Sequence, residues 1–534
     1  MPDSGLGGRG LQTHEPSPMT SSDTRHETSP QRDRKVSLGF FETPSRYLPI
    51  FITIVLILWV WTFQARMIGL GALDLYDEFY TLDRTTGFAR AGDWLNVYTH
   101  NELNFRKPPL HYWFGGLLLD QGMDLPAGLR APSMIFALGC LGATALLAAA
   151  ILPGNLWAVP VAVLFLSTSR RFWISASQAL LDTGAMFFVT MALAATILAL
   201  RRPWWWYVVG LAIGLGALQK APIAFIFVAL FLLFTGLTAR WHGTGFRSFL
   251  GNRHFLTSML VAVGLWSSWY IFQVAQHGFV VLKVGFGEQM IDRFAPGADV
   301  SAKRSLSAVF DHLMGSEALL RLPAVLALAI LPWWLRRFDL LALPLMVLTY
   351  LAAVGFAEGG ISMRYTLYIG STLAVALAAV LVTLPVRPRT LTALILLLAL
   401  AIGGPVRSPA DLRLFPRGIR QLQVDMLTRL SEEQKPSEQI VYCNWDPKTR
   451  IPPGAVSYYG SANRPYFRPD GPDGFAALVG SGAISGPMRG ICPTEYIPTV
   501  EPHVTGFQVI DTRPPYTYWT AESVRPAAGT ATGD

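Results

Sequence analysis

The feature that most constrains this chain is a series of apolar runs between residues 47 and 406. A helix needs about 20 apolar residues, with a range of about 17–25, to cross the bilayer core. The runs lie at 47–66, 131–152, 155–169, 180–200, 204–218, 221–239, 255–277, 318–335, 340–357, 365–385 and 390–405. The sequence therefore predicts an all-α polytopic membrane protein with about eleven spans.

Three segments leave this count open by about two spans. The runs 155–169 and 204–218 are short, so their ends are not fixed by hydropathy. The segment 108–121 has two interpretations, a helix on the membrane surface or a short extra span.

The two ends of the chain differ from its centre, residues 47–406. Residues 1–46 are polar and rich in Ser, Thr, Pro and Gly, which predicts a disordered cytoplasmic tail. A cleaved signal peptide does not fit, because the first apolar run begins near Tyr47. Residues 407–534 contain the β-like runs Gln439–Cys443 and Gly506–Ile510, and they predict a small soluble domain of mixed α and β structure outside the membrane.

The composition excludes several classes of protein. Charged residues make up 15% of the chain, against about 25% in an average soluble domain, which argues against a cytosolic enzyme. The hydrophobic content of 51% excludes a disordered protein. The net charge of +8 does not indicate nucleic-acid binding, because the basic residues recur singly and in pairs between apolar runs.

The distribution of arginine predicts the orientation in the cell inner membrane. If the N-terminus is cytoplasmic, the loops on that side hold nine Arg and one acid, Asp339. The nine are Arg201, Arg202, Arg240, Arg247, Arg253, Arg336, Arg337, Arg387 and Arg389. Short cytoplasmic loops carry such an excess. An odd number of spans then places the C-terminal domain outside.

With this orientation, ionisable residues from five segments gather at the outer face. They are Asp74, Asp77, Glu78 and Asp83 early in the first outer loop, Arg106 and Lys107 later in that loop, Asp182 at the start of a span, Lys220 in a short turn, and Glu358 and Arg364 around a later turn. An ionisable residue at membrane depth is costly and indicates function. The set predicts one cavity that opens to the outside.

Such a cavity suits group transfer from a phosphate. Carboxylates can remove a proton from an attacking group, and Lys and Arg can hold a phosphate as it leaves. The chain has no glycine-rich nucleotide loop, no HExxH, no paired Cys ligands and no GxSxG. Zinc and serine hydrolases are therefore disfavoured.

Most candidate residues also have a simpler explanation; Asp182, for example, could accept backbone hydrogen bonds at a helix start. Asp77 and Glu78 could cap a helix, since acids favour a helix N-terminus. Lys107 could be an interfacial lysine whose stem lies along apolar surface. Lys220 and Arg364 could be ordinary anchors at the membrane surface.

Several motifs, in a fixed order, resemble those of the GT-C glycosyltransferases. The segment Leu75–Tyr80 (LYDEFY) resembles the acidic motif that follows the first span of the family. The segment Asn104–Trp113 (NFRKPPLHYW) resembles the KPP…YW signature of the aminoarabinose transferase branch, which is related to the protein O-mannosyltransferases. Ala179–Asp182 (ALLD), Leu218–Pro222 (LQKAP), Leu331–Trp333 (LPW) and Met363–Tyr365 (MRY) are similar to later motifs of that group.

The resemblance covers residues 50–385 and implies a GT-C membrane enzyme of about eleven to thirteen spans. Family members take a sugar from a polyprenyl-phosphate carrier and place it on an acceptor at the outer face of the inner membrane. It implies that Asp77 is the base and that Lys107, helped by Arg364, binds the carrier phosphate. The candidate catalytic residues are then Asp77, Glu78 and Asp182, and the candidate substrate-binding residues are Lys107, Arg106, Lys220, Arg364 and Glu358.

One departure from the family concerns metals. The family often has Glu before the KPP lysine, where a metal can bind, whereas this chain has Arg106. We therefore predict no metal ligands and name no cofactor as certain, while a divalent metal stays open as the one cofactor that the resemblance suggests. The motifs do not identify the donor sugar, and the acceptor stays open among a glycolipid, a polysaccharide and a protein.

Two other classes of protein compete with the glycosyltransferase. A secondary transporter places charges near mid-membrane on broken helices and shows repeated halves. Here the charges lie at one face and the halves do not repeat. A membrane scaffold that binds through its C-terminal domain leaves the acids and lysines unexplained.

The three cysteines divide by location. Cys140 lies inside an apolar run and predicts a free, buried thiol. Cys443 and Cys492 lie in the domain placed outside, where disulfides form, and we predict a bridge between them. The alternative is two unrelated buried thiols.

Overall fold

The computed structural model describes residues 44–70, 73, 76–99, 102–291, 318–356, 363–385, 390, 419–443, 459, 466–469 and 471–525. Most of the predicted tail, the run 390–405 after its first residue, and the candidates Asp74 and Glu358 lie outside the described residues.

The regular secondary structure described up to residue 383 is helical, apart from one short hairpin. Its α-helices are α1 (Pro44–Met67), α2 (Tyr76–Ala91), α3 (Leu110–Asp120), α4 (Leu125–Ile151), α5 (Ala158–Ser167), α6 (Arg170–Ser177), α7 (Asp182–Ala199), α8 (Trp205–Gln219), α9 (Ile223–Leu237), α10 (Phe246–Leu250), α11 (Arg253–His277), α12 (Val280–Leu282), α13 (Ala318–Trp334), α14 (Ala342–Phe356) and α15 (Gly370–Thr383). The 3₁₀ helices are Ala239–Trp241, Phe338–Leu341 and Met363–Ile369, and the segment Lys283–Ile291 is a π-helix. The hairpin pairs β1 (Tyr98–Thr99) with β2 (Glu102–Leu103).

An apolar helix lies at each of the ten runs predicted between residues 47 and 385. Within the described residues, six helices are long and apolar enough to cross a membrane. They are Tyr47–Met67, Leu125–Ile151, Asp182–Ala199, Arg253–His277, Phe338–Phe356 and Arg364–Thr383. This confirms the prediction of a polytopic helical membrane protein.

Four predicted runs form helices at or below the shortest length that crosses the bilayer core. The helices α5, α8, α9 and α13 have 10, 15, 15 and 17 residues, and about 20 are needed. Nine of the ten residues of α5 are buried against other helices. A helix enclosed by protein can end at membrane depth, because protein groups satisfy its terminal N–H and C=O groups.

The open segment 108–121 forms α3, which is 11 residues long. That length is about 16 Å, too short to span the membrane. One face of α3, including His111 and Tyr112, is buried, while Leu117 is exposed. Of the two interpretations, the structure favours the helix on the membrane surface.

The C-terminal part contains a five-stranded mixed sheet in the order β4-β3-β5-β8-β7. The strands are β3 (Gln439–Tyr442), β4 (Tyr466–Phe467), β5 (Met488–Pro493), β7 (Gln508–Arg513) and β8 (Tyr516–Ala521), and β6 (Val504–Thr505) pairs separately with β9 (Ser523–Val524). The helices are α16 (Ile419–Glu433), α17 (Gly471–Gly480) and α18 (Ile497–Val500), with 3₁₀ helices Thr494–Tyr496 and Glu501–His503. This confirms the mixed α and β structure predicted for the C-terminal domain.

Alternation along β3 gives the sheet two buried faces. Ile440 and Tyr442 pack towards α16, whereas Val441 and Cys443 pack towards the side covered by α17. Successive strand residues point to opposite faces, so a run that is apolar at every position is buried on both sides.

The first of these faces packs on the membrane domain at α2. Leu73, Phe79 and Leu82 share one buried apolar cluster with Leu427 and Tyr518 of the C-terminal domain. The backbone N–H of Leu73 also donates to the Tyr459 hydroxyl at 2.8 Å. The sheet therefore covers one face of α2 and leaves another face to the interior of the membrane domain.

A disulfide joins Cys443 at the end of β3 to Cys492 in β5, with a Cα–Cα distance of 4.6 Å. This is the pair that the sequence predicts. Cys140 is free and fully buried in α4.

We expect reduction of this bridge to destabilise the C-terminal domain by about 4 kcal/mol, because it releases a closed loop of about 50 residues in the unfolded chain. Pulse proteolysis in urea, followed on fragments of that domain, should show a lower midpoint with reductant. The variant Cys140→Ser is the control and should respond to reductant as the wild type does. An unchanged midpoint in the reduced protein contradicts the prediction.

Candidate active site

A cavity of about 260 Å³ lies beside α2. Its lining brings together the acidic motif, the KPP segment, the start of α7, the end of α8 and the segment after α14. The lining residues are Asp77, Tyr80, Thr81, Arg84, Lys107, Tyr112, Leu180, Leu181, Asp182, Lys220, Arg364 and Tyr365. Five of the eight site residues predicted for catalysis or substrate binding are in this set, namely Asp77, Asp182, Lys107, Lys220 and Arg364.

The period of α2 decides which of its residues reach the cavity. Asp77, Tyr80, Thr81 and Arg84 line it, and residues three or four apart lie on one helix face. Phe79 and Leu82 point to the C-terminal domain instead. The helix thus carries the acidic motif on one side and its anchor to the sheet on another.

Asp77 forms an ion pair with Arg364 across the cavity. The Arg364 Nη2 donates to Oδ2 of Asp77 at 2.5 Å, and both side chains are close to half exposed. Arg364 belongs to the 3₁₀ helix Met363–Ile369, far from α2 in sequence. The cavity therefore has a solvent-accessible carboxylate held by a guanidinium.

Lys220 and Asp182 form a second, more buried pair. The Lys220 Nζ donates to Oδ1 of Asp182 at 2.6 Å, and the Tyr368 hydroxyl donates to the same oxygen at 3.0 Å. The ammonium also lies 4.6 Å from the centre of the Tyr365 ring, a cation–π contact. Burial alone lowers the pKa of Lys220, but the Asp182 carboxylate and Tyr365 together outweigh this effect and raise the pKa. The ammonium therefore stays charged.

The KPP segment places its two cations differently. Lys107 lines the cavity, whereas the Arg106 side chain is 57% exposed and does not. The Arg106 Nη2 contacts Oε2 of Glu288 in the π-helix at 3.2 Å. The two side chains therefore have different surroundings, and we interpret Arg106 as a residue that links the KPP segment to the π-helix through its ion pair with Glu288.

Glu78 lies outside the cavity lining, in contrast to its predicted catalytic role. It is fully buried, and its Oε1 accepts from Arg130 Nε at 2.8 Å and from the Ala179 backbone N–H at 3.0 Å. Arg130, also fully buried, donates to the Leu70 carbonyl oxygen at 2.7 Å. Adjacent helix residues point about 100° apart, so Asp77 faces the cavity while Glu78 fastens α2 to α4 and to the segment before α7.

Sequence reasoning missed several residues of the site. Arg84 lines the cavity and donates to the Tyr112 hydroxyl at 2.8 Å and to Thr99 at 3.1 Å. Its spacing of seven residues from Asp77 on one helix was the available signal. Tyr368 donates to Asp182, and Arg130 binds Glu78 outside the cavity lining. The partners of both residues are far away in sequence, so no local sequence pattern identifies them.

The residues present do not fit the metal site that the family resemblance raises. The position that is often Glu in the family is Arg106, whose guanidinium cannot ligate a cation and is paired with Glu288. Within the described residues, no group of three His, Cys, Asp or Glu side chains is arranged to hold a metal ion. We derive no catalytic step through a metal.

Comparisons with known proteins place the fold. No protein-family model matches the sequence, and no curated protein is significantly similar to it. The crystal structure of ArnT from Cupriavidus metallidurans bound to undecaprenyl phosphate matches with a TM-score of 0.65 and 13% identity, over 88% of this chain and 97% of that one. The apo form of ArnT matches with a TM-score of 0.62 and 14% identity, over 90% and 98%. The mycobacterial arabinofuranosyltransferase AftD matches with a TM-score of 0.52 and 17% identity, over 89% of this chain and 40% of that one.

These matches confirm the fold that the motifs predicted. The chain has the GT-C fold seen in ArnT, built as a polytopic membrane protein with a small C-terminal sheet domain. At 13–14% identity the likeness to ArnT establishes the fold alone.

Proposed function

We propose that this protein is an integral membrane glycosyltransferase. It moves a sugar from a polyprenyl-phosphate carrier to a glycolipid, polysaccharide or protein acceptor at the outer face of the cell inner membrane. The observation that carries the proposal is the charged cavity beside α2. Its described lining has four cations, Arg84, Lys107, Lys220 and Arg364, and two acids, Asp77 and Asp182, hence a net charge of +2.

A carrier phosphate suits this cavity. Ammonium and guanidinium groups form charge-assisted hydrogen bonds with phosphate oxygens. In the proposal Lys107 holds the phosphate, and Arg364 joins it there by leaving its pair with Asp77. The likeness to ArnT, which was crystallised with undecaprenyl phosphate, supports this class of ligand.

An apolar groove near the KPP segment suits the lipid tail. The groove has a volume of about 490 Å³, and its lining is Trp266, Ser267, Tyr270, Ile271, Val274, Ala275, Leu282 and Phe286. At Gly285 of the π-helix, a Cβ atom would lie only 3.2 Å from the carbonyl oxygen of Phe105, two residues before Lys107. Burying apolar chain carbons stabilises binding by about 0.8 kcal/mol for each methylene. A tail in the groove therefore adds affinity to the phosphate contact.

The proposed reaction uses the two ion pairs in different ways. Once Arg364 turns to the phosphate, Asp77 takes the proton from the acceptor hydroxyl or amine. The acceptor atom then bonds to the anomeric carbon, the bond from that carbon to the phosphate oxygen breaks, and the phosphate leaves with the electron pair. Lys107, Lys220 and Arg364 stabilise the charge that grows on the leaving oxygen. Asp182 holds Lys220 in place for this step.

The orientation of the protein is part of the proposal. At the end of the bundle away from the cavity, Arg201 and Arg337 donate to carbonyl oxygens of Ala150 and Ile151 at the C-terminus of α4. Cations stabilise a helix C-terminus, and an excess of Arg marks cytoplasmic loops. The cavity and the sheet domain, residues 407–534, then face the outside, and the tail 1–46 faces the cytoplasm.

Labelling of single cysteines tests this orientation. In intact cells, a membrane-impermeant maleimide should label Glu102→Cys in β2 but not Arg240→Cys beyond α9, since the proposed orientation places the two on opposite sides of the membrane. After permeabilisation both should react. The native cysteines should give little background labelling, because Cys140 is buried and Cys443 is bonded to Cys492. Labelling of Arg240→Cys in intact cells contradicts the orientation.

The role of Lys107 is tested by carrier binding. We expect Lys107→Met to weaken binding of undecaprenyl phosphate about 10- to 100-fold, because a charged hydrogen bond contributes about 1.5–3 kcal/mol. Native mass spectrometry of the solubilised chain gives the affinity, and undecaprenol, which lacks the phosphate, should bind wild type and variant alike. The control is Lys435→Met, an exposed lysine of the C-terminal domain. Unchanged binding in Lys107→Met reduces Lys107 to an anchor.

A further inference from the structure

One buried side chain, Gln219, connects three of the segments that carry the cavity's charges. It is the last residue of α8, is fully buried and precedes Lys220. Its Nε2 lies 3.0 Å from Nδ1 of His111 and donates to the Leu181 carbonyl oxygen at 3.3 Å. His111 follows Lys107 by four residues, and Leu181 precedes Asp182. The amide thus meets the KPP segment, the start of α7 and the end of α8 at one point.

The hydrogen bond to the Leu181 carbonyl oxygen determines which group donates and which accepts between Gln219 and His111. A carbonyl oxygen only accepts, so it fixes the Gln219 amide with its nitrogen towards both partners. The Nδ1 of His111 must then accept, and the ring proton lies on Nε2. Burial lowers the pKa of His111 to about 3, although the Asp182 charge opposes this shift. The ring is therefore neutral and suited to a fixed hydrogen bond.

The backbone of α7 leaves room for this arrangement. Gly184 lies in the first turn of α7, and a Cβ atom there would overlap the Gln219 amide nitrogen. The His111 ring is held independently, since it stacks on Phe136 with ring centres 6.4 Å apart. Both partners of the hydrogen bond are therefore confined by packing, and a buried hydrogen bond between confined groups defines one geometry.

We infer that His111 and Gln219 are positioning residues that keep Lys107, Asp182 and Lys220 in register around the cavity. Neither is among the residues that line it, so they act through their neighbours. The inference rests on the proposed function, because it assumes that Lys107 holds the carrier phosphate. The buried hydrogen bond between His111 and Gln219 would then support both the KPP segment and the Gln219-Lys220 turn.

The first test is a double-mutant cycle on carrier binding. Gln219→Met keeps the side-chain length and removes the amide, and His111→Phe keeps the stacked ring and removes the acceptor. Each should weaken phosphate-dependent binding of the carrier about 3- to 10-fold. The double variant should be no weaker than the weaker single variant, since both changes remove the same hydrogen bond.

The second readout separates positioning from general destabilisation. In the wild type, Lys107→Met costs about 10- to 100-fold in affinity under the proposal. In the Gln219→Met background the same change should cost only about 3- to 10-fold, because the misplaced ammonium has already lost part of its contribution. A purely structural loss lowers the amount of folded protein and leaves the Lys107 effect intact.

A matched pair of glycine variants provides a second test in case Gln219→Met does not fold. Gly184→Ala displaces the Gln219 amide without changing it, whereas Gly142→Ala in α4 meets no atom within 4 Å and should behave as wild type. If Gln219→Met does not fold, Gly184→Ala and His111→Phe carry the same comparison. A full Lys107 effect in these folded variants overturns the inference alone. A wild-type chain without Lys107-dependent binding overturns the proposed function and, with it, this inference.

Discussion

Replacing Asp77 with Asn should reduce sugar transfer at least about 100-fold in a protein that folds normally. A positioned general base contributes about 10²- to 10⁴-fold to a rate, and an amide of the same shape cannot take the proton. Asp77 faces the cavity and is close to half exposed, so the change leaves no buried charge unpaired. The measurement is turnover in proteoliposomes, with the donor found by screening polyprenyl-phosphate sugars on the wild type.

Two comparisons make this result specific. Asp120→Asn, the same change at the exposed end of α3, should keep wild-type turnover. Carrier binding by Asp77→Asn should be kept or improved, because the ion pair that holds Arg364 on Asp77 no longer competes with the phosphate. Near-normal turnover in a folded Asp77→Asn protein would show that Asp77 is not the general base.

The membrane helices were predictable because a single physical rule governs them. A lipid-exposed span must bury its backbone polar groups in a helix and present apolar side chains, which is visible in hydropathy. The rule fails for α5, which is enclosed by other helices and needs no full membrane length. Hydropathy measures apolar content, and it does not distinguish a lipid-facing helix from a protein-facing one.

The site was predictable as a set of segments and less so as a set of contacts. The motifs correctly brought Asp77, Lys107 and Lys220 to one cavity. They did not distinguish Asp77 from Glu78, since both acids stand in the first turn of the same helix. The difference arises from what lies opposite each one, Arg364 for the first and Arg130 for the second. Such partners are fixed by tertiary packing, which a local motif does not record.

The pair of Glu78 and Arg130 should therefore contribute to stability rather than to chemistry. Both side chains are fully buried, and removing one partner of a buried ion pair leaves an uncompensated charge that costs about 3–5 kcal/mol. We expect Arg130→Met to lower the free energy of unfolding by about that amount, which thermal unfolding of the solubilised protein measures.

The double variant of Glu78→Gln and Arg130→Met decides between stability and catalysis. It leaves no buried charge, and the Gln oxygen can still accept from the Ala179 backbone N–H, so it should be more stable than Arg130→Met alone. Its turnover per folded molecule should stay within about 10-fold of wild type, since Asp77 keeps its place on the cavity face of α2. If Glu78→Gln instead abolishes turnover with stability unchanged, Glu78 is a catalytic residue, and the ion pair with Arg130 does not explain its role.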